Sequence, residues 1–254
     1  MKKIEEYQKF LSLFNFRKEM KGFVGIERER FLTNSENSFV PEAEKFLLTI
    51  DNPLWTYELS ACQVEDRTNP FRDIKEIRKA LTENDNLGKA VAGKLGLHLR
   101  TIEVGPEDMP LAIYPDRRYL RIVSKISREC LSAGCRVTSV QLHFGMPNLE
   151  RAIETANALR EHLSFLCQLG DHSQGKRLLL YKKMAPNWQP PEYQNIEHFF
   201  ETARQQGFSQ NPRNCWHLIR ISIHGTVELR MFGVTEDLEE ISSWIETARK
   251  IIGS

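Results

Sequence analysis

No run of roughly 20 apolar residues, the length needed to cross a bilayer, occurs in these 254 residues, so no membrane partner is expected. Charge of one sign is also lacking. Lys and Arg number 35 against 34 Asp and Glu, and without a basic field nothing argues for nucleic acid or an anionic surface as partner. Cysteine is sparse and poorly spaced for a framework. Cys62, Cys130, Cys135, Cys167 and Cys215 are an odd number with no CxxC pair and no His-rich companion, which argues against a disulfide scaffold or a zinc site and fits a reducing cytoplasm. The opening MKKIEEYQKFLSLFNF breaks its apolar run with Glu5, Glu6, Gln8 and Lys9, so it lacks the core of a secretion signal and reads as an amphipathic helix over 2–15. Repeats, low-complexity tracts and long linkers are absent too, and the expectation is one catalytic domain over 1–254 with that helix as an appendage.

What the chain does contain is an alternation of short strand-like runs and helices. Strands are predicted over 22–32, 56–65, 97–104, 137–146, 215–224 and 226–233, several with period-two alternation. Helices are predicted over 2–15, 70–81, 119–132, 149–169, 195–206 and 236–252, the fourth entered through Pro147-Asn148 and carrying Ile153, Ala156, Leu159, Leu163 and Leu166 at helical spacing. Residues 171–191, with three prolines, read as a loop. The fold class this implies is α+β, a largely antiparallel, curved sheet with helices on its outer face.

Charged side chains stand inside or beside those strands: Glu27 and Glu29, Glu58 and Glu65, His143, and Glu228 with Arg230. A charge facing a core costs several kcal/mol unless something compensates it. Strand parity puts Glu27 and Glu29 on one face, Glu228 and Arg230 on one face, and His143 with Ser139 and Gln141, while Val140, Leu142, Phe144, Val227, Leu229 and Met231 face the other way. Arg220, Ser222 and His224 share a face opposite Ile219, Ile221 and Ile223. Glu58 and Glu65 are seven residues apart, so a bulge or turn between them is needed to bring them together. Any one of these pairs taken alone reads more readily as the solvated face of an antiparallel sheet. Together they offer hard oxygen ligands for clustered Mg²⁺ and a fixed cation for a phosphoryl group, which is what a nucleoside triphosphate site requires. Arg100, Arg118 and Lys176-Arg177 are further cations that suit a carboxylate or a phosphate, or simply the surface.

The motifs resemble the carboxylate–amine ligases of the glutamate–cysteine ligase type 2 family, which share the glutamine synthetase catalytic fold. The resemblance rests on Val24-Gly25-Ile26-Glu27-Arg28-Glu29, on Glu58 to Glu65 with Gln63, and on Asp116-Arg117-Arg118-Tyr119 before a helix. It continues through Gln141-Leu142-His143-Phe144-Gly145-Met146-Pro147 with the helix from Ala152 to Arg160, and through Trp216, Arg220 and Gly225-Thr226-Val227-Glu228-Leu229-Arg230. It spans about residues 22 to 252. By resemblance, Glu27, Glu29, Glu58, Glu65, His143 and Glu228 would hold Mg²⁺ ions on the phosphates of ATP, and Arg230 would steady the γ-phosphoryl group. Arg220 is a further candidate for a phosphate or carboxylate contact. Two departures stand out. Gln141 occupies the place of a first histidine and reads as a support for the ligands, and the helical extension expected after the last motif does not appear before Ser254.

The resemblance implies an ATP- and Mg²⁺-dependent ligase that forms an amide, of γ-glutamyl type, through an acyl phosphate. Its partners would be a small-molecule carboxylate and an amine, and a homo-oligomer is left open. Phosphoryl transfer asks the protein for positioning and charge rather than for a nucleophile. Alternatives are a kinase of a small carboxylate or guanidinium, and a protein-modifying ligase or a nucleotide-binding regulator.

Overall fold

The computed structural model describes residues 2 to 253. Its centre is β1 (Val24–Asn34), long enough to serve three partners. Residues 24–28 of β1 pair with β5 (Ser139–Gly145), residues 27–31 with β3 (Gln63–Arg67), and residues 31–34 with β4 (Leu97–Arg100), all antiparallel. With β2 (Trp55–Tyr57), β6 (Ile219–Ser222) and β7 (Thr226–Gly233) the sheet runs β2-β3-β1-β5-β7-β6, with β4 off that path on β1. The α+β expectation holds, as does the turn between Glu58 and Glu65, where β2 ends and β3 begins.

One face of the sheet is apolar because period-two alternation sends Val24, Ile26, Val140, Leu142, Val227, Leu229, Ile219 and Ile221 to the same side, all buried in one cluster. Onto it pack α6 (Leu149–Glu161), α7 (Leu163–Leu169) and α10 (Leu238–Ile252), with α9 (Ile196–Gln205) behind α6. Asn148 caps α6 by accepting from the Arg151 amide, and Asp237 caps α10 in the same way. The N-terminal helix α1 ends at Leu11 rather than at residue 15, and docks on α9 through Tyr7, edge-on to Phe200, and Phe10, tilted against Phe199 and Phe200.

Several predicted elements change extent. The helix expected over 70–81 is α3 (Ile74–Lys94) and continues because its polar stretch is used rather than exposed: Asn84 and Asp85 reach the sheet, where Arg28 and Arg30 of β1 and Asp66 of β3 meet them. The helix-covered face therefore holds a buried ion network at its β1–β3 end and is not uniformly apolar. Residues 119–132 divide into α4 (Arg117–Val123) and α5 (Arg128–Cys135), the latter capped by Ser127, and 149–169 divides at His162. An unexpected α2 (Ala43–Ile50) buries Phe46 against Trp55. The loop predicted over 171–191 contains α8 (Lys176–Met184), which starts after Gly175 at φ +79°, a backbone conformation that favours glycine. Ile223 and His224 lie in the β6–β7 turn instead of a strand. α8 packs on α5, and with α4 the two helices stand over the sheet face opposite the apolar core.

Candidate active site

That second face is the floor of a cleft of about 350 Å³, lined by Glu27, Glu29, Glu58, Glu65, Arg220 and Arg230 among others. Register explains the gathering. Glu29 lies opposite Glu65 across β1–β3, Glu27 opposite Gln141 across β1–β5, His143 opposite Glu228 across β5–β7, and Arg220 opposite Glu228 across β6–β7. A bulge between β5 and β7 at Val140–Leu142 shifts the register, and Arg230 still reaches Gln141 across it.

The predicted residues fall into two neighbouring groups. In the first, Glu29, Glu58 and Glu65 each bring a carboxylate oxygen within 4.8 Å of the other two. Glu29 accepts hydrogen bonds from Ser139 Oγ at 3.0 Å and from Gln141 Nε2 at 2.7 Å, so Gln141 supports a carboxylate, as expected. Burial first, then Glu58, pushes the Glu29 carboxyl up to about 8. Burial together with Glu27, Glu58 and Glu29 raises Glu65 well above the usual carboxylate range. Like charges held this close out of water raise one another's values, and the one ion pair of this group among the described residues, from the partly exposed Arg67 Nε to Glu65 Oε1 at 3.7 Å, does not offset them.

In the second group, His143 Nε2 lies 3.3 Å from Glu27 Oε2, and Nδ1 lies 3.1 Å from Thr226 Oγ1 and 4.0 Å from Glu228 Oε2. Burial works against a charge on Glu27, yet His143 carries its carboxyl below the ordinary value. Glu228 is fully buried and its oxygens are taken up by arginines: Arg220 donates to both at 2.6 and 2.9 Å, and Arg230 to Oε1. Despite that burial, Arg220 and Arg230 hold Glu228 well below the carboxylate range. Arg230 also donates to Gln141 Oε1 at 3.1 Å and to Tyr181 Oη at 3.3 Å, and sits 5.8 Å from the Trp216 ring.

The donor set fits a hard divalent cation. Carboxylate oxygens supply three close ligands, and His143 Nε2 is a buried ring nitrogen with no hydrogen-bond partner, its geometry toward Glu27 being unsuited to one. Two contributors, Tyr181 and Arg177, lie in the segment read as a loop, Arg177 being legible only as a cation that suits an anion or the surface. It is buried with its guanidinium donating to the carbonyls of Thr138, Arg230 and Met231 at 2.8–2.9 Å. Arg118 lines the cleft, whereas Lys176 and Arg100 are exposed and do not line it.

Comparison with known proteins agrees with this arrangement. The fold is shared with a bifunctional glutathione synthetase from Pasteurella multocida, at TM-score 0.64 and 12% identity over 97% of this chain and 39% of that one. It is shared also with a glutamate–cysteine ligase from Francisella tularensis, solved in complex with AMP, at TM-score 0.57 and 12% identity over 93% and 68%. Residues 23–253 match the glutamate-cysteine ligase family 2 (GCS2), and the chain belongs to that family. Similar sequences include a "Putative glutamate--cysteine ligase 2" of Chloroflexus aggregans, 26% identical over 90% of this chain, and a "Glutamate--cysteine ligase" of Natronomonas pharaonis, 25% identical over 91% of this chain and 69% of its own length. The chain spans 63% of the length of the Chloroflexus protein. Among the described residues no helix is long and apolar enough to cross a membrane.

Proposed function

We propose that this chain is an ATP- and Mg²⁺-dependent carboxylate–amine ligase, which activates a small carboxylate as an acyl phosphate and joins it to an amine. One observation carries the reading: a floor of four glutamates and an imidazole whose Nε2 has no hydrogen-bond partner, crowded with like charge at one end and bordered by two arginines at the other. Glu27, Glu29, Glu58, Glu65 and His143 would hold the metal ions, with Glu228 joining them when its arginines turn to an anionic substrate. Bound there, Mg²⁺ would neutralise phosphate charge and polarise the transferring group.

The chain's own residues do the rest. Arg230, fixed by Tyr181 and Gln141, is placed to stabilise the γ-phosphoryl oxygens in flight, and Arg220 to hold a second phosphate or the carboxylate. Glu228 is a catalytic partner in that it aims both guanidinium groups. Gln141 ties Arg230 to Glu29, so the cation and the acidic group are set by one amide. The cover formed by α4, α5 and α8 shields the acyl phosphate from water. The substrates are small molecules in this reading, and the setting is cytoplasmic.

The test is phosphate release from Mg²⁺-ATP, screened against amino acids with and without amines. Amide product with stoichiometric ADP is expected. A stable phosphorylated product that ignores added amine would replace the ligase by a kinase.

A further inference from the structure

The pairing of β5 with β7 slips by one residue beside the site. Val140 lies opposite Phe232 and Leu142 opposite Leu229, so Gln141 by itself faces both Arg230 and Met231. A bulge of this kind interrupts the ladder and re-aims a side chain. Here a bulged residue is Arg230, the cation bonded to Glu228 and Gln141. What meets the bulge is a guanidinium from another element. Arg177 of α8 donates from Nη2 to the carbonyl of Arg230 and from Nη1 to that of Met231, both at 2.9 Å, and from Nε to that of Thr138, just ahead of β5, at 2.8 Å. Its rigid fork thus bridges the two strands where their own register breaks.

Burying a cation without a paired anion is costly. Arg177 is buried with carbonyls as its hydrogen-bond partners among the described residues, a duty that neutral amides perform elsewhere in a sheet. The rest of α8 shows what the arrangement secures. Arg177 and Tyr181 are the buried residues of this helix, four apart and so on one face. Tyr181 Oη donates to the carbonyl of Trp216 at 2.9 Å, which commits its only proton and leaves the oxygen free to accept from Arg230 Nε at 3.3 Å. α8 therefore grips Arg230 twice, at its main chain and at its side chain. The helix is itself anchored at its start, where Ser173 Oγ accepts from the Arg177 amide at 3.0 Å, and it packs on α5 in the cover of the cleft.

We infer that α8 is the positioning element for the phosphoryl-stabilising arginine, with Arg177 and Tyr181 as positioning residues that act through Arg230. This rests on the ligase reading for what Arg230 does and goes beyond it in naming what sets its place. Misplacing a positioned group by about 1 Å lowers turnover about a hundredfold. A helix of the cover thereby governs the rate of transfer while adding nothing to the affinity for nucleotide.

The test uses Arg177→Lys, which keeps the charge and loses the fork, and Tyr181→Phe, which keeps the ring and loses the hydroxyl. For ADP formation from Mg²⁺-ATP, kcat is expected to fall about a hundredfold in the first and about tenfold in the second, with KM for Mg²⁺-ATP within about threefold of wild type. In an Arg230→Ala background neither substitution should lower turnover by more than about twofold further, because both act through the side chain already removed. Activity is paired with nitrogen-15 NMR of the Arg230 Nε–H, identified by its loss in Arg230→Lys. Its exchange with water should be slow in the wild type and at least about tenfold faster in each variant. Where Arg177→Lys does not fold, Tyr181→Phe carries the same two readouts. Losses that multiply in the double variants, a raised KM at unchanged kcat, or an Arg230 resonance unchanged by the substitutions would each overturn the inference. A wild-type protein that shows the expected resonances but forms no ADP with any acid and amine keeps α8 as the element that places Arg230 and sinks the ligase reading instead.

Discussion

Arg230 has the most partners in the cleft, touching Glu228, Gln141, Tyr181 and the Trp216 ring. Arg230→Ala is expected to lower ATP-dependent turnover about a thousandfold, the scale of a phosphoryl-stabilising arginine, with circular dichroism unchanged because the apolar face is untouched. Turnover within tenfold of wild type would remove its assigned role. Glu65 behaves oppositely. Its carboxyl is buried among Glu27, Glu58 and Glu29, and the partly exposed Arg67 at 3.7 Å does not bring it back to the usual carboxylate range, so in the metal-free protein its charge is a liability that function tolerates. Glu65→Gln should raise the metal-free Tm at pH 8 by about 2–4 °C while abolishing Mg²⁺-dependent activity. A lower Tm would show that Arg67 compensates the carboxylate fully. Parity alone placed Glu27, Glu29, His143, Glu228 and Arg230 on one face, since a two-residue period is readable without coordinates. Arg177 was readable only as one of several cations suited to an anion or the surface; its burial was not, because its partners are the backbone carbonyls of Thr138, Arg230 and Met231, which leave no trace in residue type.

At the scale of elements, the ion network behind the site decides how β1 is held. Asp66 is fully buried and accepts from Arg28 at 2.9 Å, from Arg30 at 2.6 Å and from Asn84 at 2.9 Å, while Asp85 of α3 takes the other side of both arginines. Burial alone would raise its carboxyl, yet Arg28 and Arg30 hold it below the ordinary value. Removing one member of a buried ion group strands the rest, so Asp66→Ala is expected to cost about 3–5 kcal/mol in urea unfolding. Asp85→Ala should cost less, its side chain being 18% exposed. Equal losses would mean that desolvation is not the governing term. This network explains why α3 runs on through Thr82-Glu83-Asn84-Asp85, residues whose polarity ends a helix when periodicity is the only guide. α8 escaped for a related reason: its buried residues are Arg177 and Tyr181, spaced as a helix face but polar in type. β5 and β7, by contrast, were legible because apolar and polar positions alternate along them, whereas the run read as a strand over 56–65 is β2 and β3 with a turn between and that over 215–224 is a strand only over Ile219–Ser222.

For the molecule as a whole, the two carboxylate populations pull stability in opposite directions with pH. Asp66, Glu27 and Glu228 have folded values below the unfolded one. They contribute stability that is present above about pH 4.5 and lost as the pH falls through their folded values. Glu29, at about 8, and Glu65 lie above it. Across the window from about pH 4.5 to 8 the folded state therefore binds more protons than the unfolded chain at those sites, and its stability declines as the pH rises. His143 adds to this decline: burial opposes its charge, but Glu27 and Glu228 raise its value, so its contribution is complete below the unfolded value of about 6.5 and is lost as pH passes the folded one. In EDTA the Tm should be highest near about pH 5 and fall toward pH 8. A divalent cation reverses the charge balance on the floor of the cleft, so Mg²⁺ should raise the Tm strongly at pH 8 and little at pH 5, where protons already occupy the same oxygens. Differential scanning calorimetry at the two pH values, with EDTA and with Mg²⁺, checks this. A Mg²⁺ effect of equal size at both would mean that the ion binds somewhere other than among these glutamates.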